Sequence, residues 1–219
     1  MKFVIAAVVT LVIAVGGYFS YTKYEQHKFQ QSIIPHVKNV SIRLANVVQY
    51  ETENDSKITY KELFEKLESD VSEIDKRIIE IQTLSTPDNK EVTDSVLAYL
   101  KGGQELLRSL LIKYRKQLSL NAANDRMETE MDDLRGANHY GRDYAIKSAQ
   151  RALKNLQEAD KEYTNATYDV FNAAKKMAEV HMKVAQFIRS DALAELGIFE
   201  AIAQKNEKKT KDNSKAETK

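Results

Sequence analysis

The chain has 219 residues, of which 42% are hydrophobic and 30% are charged, and its formal net charge is +1. This balance, without a basic stripe interleaved with aromatic residues, predicts no nucleic-acid partner. Cysteine is absent, which excludes disulfide bonds and cysteine-linked haem. Two prolines and seven glycines stand among abundant Ala, Leu, Glu, Lys and Gln, so the composition predicts an all-α protein.

The first element is an uncharged apolar run at residues 3–22. About twenty helical residues span about 30 Å, the thickness of the hydrocarbon core of a bilayer. We therefore expect an N-terminal transmembrane helix, with residues 1–22 as the membrane anchor. The alternative is a secretory signal, in which Lys2 is the basic start and the Val-Gly-Gly sequence at 15–17 is the cleavage site.

Three tyrosines follow the run at three-residue spacing: Tyr18, Tyr21 and Tyr24. An interfacial aromatic belt has this position, so the tyrosines favour the anchor over the signal. Lysines on the two sides of the run are nearly balanced in number, and we expect the short N-terminus to lie inside. The protein is thus predicted to be single-pass, with the bulk of the chain extracytoplasmic, in the periplasm or outside the cell.

Residues 23–204 are predicted to form a helical bundle, because turn signals interrupt the helix-favouring sequence at only a few places. These places are residues 54–56, 86–87 and 135–141. They divide the region into four helices. The first continues out of the membrane to about Glu51, and we expect Pro35 to kink or restart it.

The second and third helices begin at recognisable caps. Thr59 and Glu62 have the spacing of a capping box. A seam of apolar residues follows at coiled-coil spacing: Leu67, Val71, Ile74, Ile78 and Ile81. Thr86 as N-cap and Pro87 at the first helical position predict the start of the third helix, which runs to about Leu134.

The fourth helix has the strongest pattern in the chain, a strict four-three spacing of apolar residues. They are Ala145, Ala149, Ala152, Leu156, Ala159, Tyr163, Ala166, Val170, Ala173, Met177, Val180, Val184 and Phe187. This repeat packs one face lengthwise against a long partner, and a short loop makes the third helix that partner. The predicted fold after the anchor is therefore an elongated antiparallel bundle with a long coiled-coil hairpin. The distal part of this hairpin is expected to be only two helices thick. A homo-oligomer that forms through the coiled coil is therefore a further alternative.

Gly102 and Gly103 lie inside the third helix, where each glycine costs roughly 1 kcal/mol relative to alanine. We expect them to allow close packing against the second or fourth helix. The functional alternative is a hinge that lets the hairpin swing.

After the seam, Ser190 is predicted to cap an amphipathic stretch whose apolar residues share one face. They are Leu193, Leu196, Phe199 and Ile202. This stretch is expected to complete the bundle or, alternatively, to lie on the membrane surface. Residues 205–219 are Lys-rich and almost without apolar residues, which predicts a disordered tail.

No chemical site is predicted. None of the four histidines follows a glutamate by three positions, the spacing that metal-binding bundles use. An acidic cluster is predicted to be a solvated helix face: Asp125, Glu128, Glu130, Asp132 and Asp133. There is no phosphate-binding loop or nucleophile motif, so we expect no catalytic residues, no cofactor and no metal.

The predicted turn between the third and fourth helices is the candidate functional surface. It would expose Arg135, His139, Tyr140 and Arg142 at the tip of the hairpin. We expect a non-catalytic scaffold, tether or accessory protein that contacts another protein there. The alternatives are a ligand-sensing four-helix module that works with a partner, and a soluble helical chaperone released by cleavage.

Overall fold

The computed structural model describes residues 27–47 and 59–216, with side chains described as far as residue 207. Helix α1 covers residues 27–47. The other helices are α2 (Tyr60–Thr83), α3 (Lys90–Gly136), α4 (Arg142–Val184) and α5 (Leu196–Ala216). Two single 3₁₀ turns, Pro87–Asn89 and Ser190–Ala192, precede α3 and α5. No strand occurs in the described ranges, and the all-α prediction is confirmed.

The predicted anchor at residues 1–22 and the predicted end of the first helix at Glu51 both lie outside the described residues. Within the described ranges, no helix is both long and apolar enough to cross a membrane. Helix α1 is continuous through Pro35, so the chain does not restart a helix there.

The start of α2 confirms the predicted capping box. The Thr59 hydroxyl accepts a hydrogen bond from the backbone N–H of Glu62 at 3.3 Å, and the Glu62 carboxylate accepts one from the backbone N–H of Thr59 at 2.8 Å. This exchange satisfies two helix-terminal donors. The buried apolar face of α2 consists of Leu63, Leu67, Ile74, Ile78 and Ile81.

The third helix begins slightly later than the sequence predicts. Thr86 precedes the 3₁₀ turn Pro87–Asn89, and its backbone N–H donates to the Asn89 side-chain oxygen at 2.8 Å. Helix α3 then starts at Lys90 and runs 47 residues to Gly136, about 70 Å at helical rise. Pro87 therefore begins a 3₁₀ turn that leads into α3, rather than the α-helix itself.

Helices α3 and α4 are antiparallel partners, as predicted. Side-chain contacts fix their alignment: Lys176 pairs with Glu105 at 2.6 Å between Nζ and Oε2, and Lys116 pairs with Glu162 at 2.8 Å. Most seam residues of α4 are buried, including the small residues Ala145, Ala149, Ala152, Ala159, Ala166 and Ala173. Small side chains let the two backbones approach along the seam.

Helix α1 joins this pair through contacts with α2 and α3. Arg43 forms an ion pair with the buried carboxylate of Asp70 in α2, and the hydroxyls of Ser41 and Tyr99 of α3 lie 3.0 Å apart. Helices α1 to α4 therefore make a four-helix layer. Its core includes Ile33, Val37, Val40 and Leu44 of α1 together with Val170, Ala174 and Met177 of α4.

Beyond this layer the hairpin is only two helices thick. We call residues 117–160 the distal hairpin; it contains parts of α3 and α4 and the turn between them. No α3 residue after Tyr114 is buried, and the buried α4 residues of the distal hairpin are all alanines. The apolar cover thus decreases toward the tip.

Helix α5 packs on α4 and buries Phe199, Ile202 and Ala203, so its apolar face lies in the core. Ser190 does not cap this helix, because it lies in the separate 3₁₀ turn and Leu193 is extended (φ −98°, ψ 151°). The helix also continues to Ala216, into the segment predicted to be disordered. That segment contains no proline or glycine, so nothing in it stops a helix.

Candidate contact surface at the hairpin tip

The turn between α3 and α4 brings the four predicted tip residues to one end of the molecule. Arg135 lies in the last turn of α3, His139 and Tyr140 lie in the turn itself, and Arg142 begins α4. The backbone N–H of Gly141 donates to the backbone oxygen of Asn138 and to its side-chain oxygen, each at 3.1 Å. These bonds close the turn.

The aromatic side chain at the tip has almost no cover. Tyr140 is 95% exposed. Its ring meets the His139 imidazole edge to face, with 5.8 Å between the ring centroids and 67° between the planes. This geometry is the favourable one for two aromatic rings, so the neighbouring rings form one small aromatic ridge.

Two arginines flank this ridge. Arg135 donates from Nη1 to the Asp132 carboxylate at 2.9 Å, but both side chains are about three-quarters exposed. An exposed pair of this kind contributes little to stability, and the guanidinium remains accessible to another acceptor. Tyr and Arg are the residue types that most often supply binding energy in protein interfaces. The tip therefore has the composition of a protein contact surface.

A shallow groove beside the tip was not predicted from the sequence. It has a volume of about 360 Å³ and is lined by Met127, Glu128, Met131, Asp132 and Arg135. The two methionines are predicted as seam residues, which would bury them against α4. In the structure both are only half-buried. Flexible thioether side chains of this kind adapt to different partners.

Two members of the acidic cluster on α3, Glu128 and Asp132, line this groove. Its members make short-range pairs within the helix, such as Glu130 with Arg126 at 4.0 Å. In the described part of the chain, no group of three or more His, Asp or Glu side chains is placed to hold a metal ion.

The two inner glycines of α3 lie at close helix approaches. A Cβ on Gly102 would lie 3.0 Å from the Met177 sulfur of α4, and one on Gly103 would lie 3.1 Å from Leu44 Cδ1 of α1. Close packing against the fourth helix was predicted, whereas the contact of Gly103 is with α1 rather than with the second helix. The absence of a side chain is what allows α3 to sit between its neighbours.

A buried polar cluster at the base of the bundle was missed by sequence reasoning. The fully buried Tyr99 hydroxyl accepts a hydrogen bond from the backbone N–H of Ala194 at 3.2 Å and lies 3.0 Å from the Ser41 hydroxyl. Burial raises the pKa of Tyr99. The His181 imidazole lies between the rings of Tyr99 and Phe199, with centroid distances of 6.2 and 5.9 Å.

A second groove lies between α2 and α3, with a volume of about 460 Å³. Part of its polar lining is paired within the protein, since Asp75 accepts hydrogen bonds from Gln104 at 2.5 Å and from Arg108 at 3.4 Å. A ligand there would have to compete with these partners.

No protein-family model, curated protein or solved structure matches the chain. Its function is therefore inferred from the residues themselves.

Proposed function

We propose that the protein is a non-catalytic, membrane-anchored scaffold or tether whose hairpin tip contacts another protein. The observation that supports this most is the 95% exposure of Tyr140 at the end of a two-helix projection, between Arg135 and Arg142. A large aromatic side chain in water contributes nothing to folding, whereas in an interface it buries a large apolar area.

The membrane anchor is part of the proposal and rests on the apolar run at residues 3–22. With the N-terminus in the membrane, the four-helix layer lies near the bilayer, because α1 begins at residue 27, five residues after the apolar run. Helix α3 then carries the tip away by about 70 Å at helical rise. A tether requires a long spacer with a small binding surface at its end.

The extracytoplasmic location and the single span follow from the same anchor and from the expected orientation of its flanking lysines. A ligand-sensing role remains the alternative. The groove between α2 and α3 gives this ligand-sensing role little support, because its Asp75 carboxylate is already bonded to Gln104 and Arg108.

Affinity purification from native membranes tests the proposal. The full-length protein is compared with a variant in which Arg135, Tyr140 and Arg142 are all alanine. The control is Tyr168→Ala, which removes a tyrosine that is 51% exposed on the shaft of α4. We expect one or more proteins to co-purify with the wild type and the control and to be lost from the tip variant. The same set of proteins with all three chains would contradict the tip as the contact surface.

A further inference from the structure

Both arms of the distal hairpin carry apolar side chains that the rest of the described chain does not fully cover. Ile146 and Leu153 are seven residues apart on α4 and therefore share one face, and they are 37% and 44% exposed. The groove containing Met127 and Met131 runs along α3. We call these four residues the distal face. Thr167 and Ala174 continue the same heptad position of α4 into the four-helix layer, where both are fully buried.

The two arms of the distal hairpin carry opposite charge. Residues 125–135 of α3 contain five acidic and two basic residues, a net charge of −3, whereas residues 142–154 of α4 contain four basic residues and one acidic residue, a net charge of +3. On the tip side of the Lys116–Glu162 pair, no ion pair between described residues joins the two arms. The opposite charges are therefore not used to hold the hairpin together.

The opposite charges also lie at equal heights along the hairpin. The alignment fixed by Glu105 with Lys176 and by Lys116 with Glu162, continued toward the tip, places Asp125 level with Lys154. It likewise places Asp132 level with Lys147. All four side chains are exposed. Asp132 and Lys154 make only i,i+3 or i,i+4 contacts with Arg135 and Glu158, in which all the side chains are well exposed.

We propose that the distal face binds the distal face of a second copy of this chain, with the two hairpins side by side and both tips pointing the same way. A twofold axis along the hairpins sets α3 of each copy against α4 of the other at the same height. The pairs Asp125 with Lys154 and Asp132 with Lys147 then form twice. Charged residues that flank an apolar helix seam set partner choice and orientation in this way.

The charge pattern selects this arrangement among twofold dimers. An axis perpendicular to the hairpins, which points the tips in opposite directions, can set α3 against α3, acidic on acidic, and like charges in an interface are unfavourable. The parallel arrangement completes a four-helix cross-section along the distal hairpin. It leaves the tip turn, including Tyr140, free at the end, and it keeps both N-termini on one side as a shared membrane requires.

Charge reversal with rescue tests this pairing in the full-length protein in detergent. One variant is Lys147→Glu/Lys154→Glu, the other is Asp125→Lys/Asp132→Lys, and Lys161→Glu/Lys175→Glu is the control. The mass of each sample is measured by light scattering, and circular dichroism checks the helix content. We expect a dimer for the wild type and the control, and a dimer dissociation constant raised about tenfold or more for each test variant.

An equal mixture of the two test variants should recover the dimer, because every interchain pair in that heterodimer is again opposite in sign. A general loss of stability would not be rescued by mixing. A wild type of single-chain mass, or test variants that dimerise as the wild type does, would overturn the proposal. So would a mixture of the two variants that stays monomeric.

Discussion

The Tyr99 hydroxyl accepts a hydrogen bond from the backbone N–H of Ala194, with 3.2 Å between nitrogen and oxygen. These residues are 95 positions apart in the sequence. The bond ties α3 to the segment that leads into α5. Because the same hydroxyl also lies 3.0 Å from the Ser41 hydroxyl, one side chain connects α1, α3 and the entry to α5.

Replacing Tyr99 with phenylalanine removes this connection. The Ala194 N–H and the Ser41 hydroxyl lose their partner while buried, which costs about 1–3 kcal/mol of unfolding free energy. Urea titration followed by circular dichroism measures the loss. Tyr168→Phe is the matched control, since Tyr168 is half-exposed and its hydroxyl can reach water. Equal stabilities of the two variants would show that the cluster does not hold the base of the bundle.

His181 should make stability depend on pH. Burial lowers the pKa of its imidazole below the ordinary value of 6.5, and no partner within the described structure bonds its buried Nδ1 atom. The unfolded chain therefore takes up a proton at a higher pH than the folded chain. The contribution of His181 is complete above about pH 6.5 and is lost as the pH falls toward the lowered pKa of the folded state.

The measurement is the free energy of unfolding at several pH values between 8 and 5. We expect His181→Gln to be less sensitive to acid across this window than the wild type. His139→Gln, at the exposed tip, should keep the wild-type dependence. An unchanged pH dependence in His181→Gln would contradict the assignment.

Alanine at the two inner glycines of α3 should have unequal effects. Both substitutions gain roughly 1 kcal/mol of helix propensity. At Gly102 the obstructing atom is the thioether sulfur of Met177, an unbranched side chain that adapts to its surroundings. At Gly103 three atoms of the branched Leu44 side chain would lie within 3.6 Å of the new Cβ. We expect Gly103→Ala to be less stable than Gly102→Ala by about 1 kcal/mol or more. Thermal melting of the two variants measures the difference, and the opposite order would contradict the packing described for α1.

Thr59→Ala should weaken the start of α2. The capping-box bonds to Glu62 are lost, and removal of such a cap costs about 1 kcal/mol. Chemical denaturation measures the change. Thr129→Ala is the control, because Thr129 lies mid-helix and exposed on α3, where alanine is the better helix former. A Thr59→Ala variant as stable as the wild type would show that α2 is held by its packing alone.

The elements that could be predicted from the sequence are those encoded by residues close together in the chain. The capping box at Thr59 and Glu62, the turn near Asn138 and the heptad seam of α4 each depend on neighbours within a few positions. Together they identify a helical bundle with a long hairpin, and they place the tip residues at its end.

The features that were missed depend on residues far apart or on the absence of a stop signal. The bond from Ala194 to Tyr99 and the ion pair of Arg43 with Asp70 join separate helices, which no local pattern reveals. The low hydropathy of residues 205–219 predicts disorder, whereas α5 continues to Ala216, because Lys, Glu and Ala residues favour a helix. The groove beside the tip depends on how Met127 packs, not on its spacing.

Photo-crosslinking in intact membranes tests most directly whether the tip contacts a protein. A photoreactive amino acid replaces Tyr140 in one sample and Tyr168 in another, and mass spectrometry identifies the captured proteins. We predict that the probe at Tyr140 captures a specific protein that the probe at Tyr168 does not. Capture of nothing at Tyr140, or of the same proteins from both positions in a folded and membrane-bound chain, would contradict the claim.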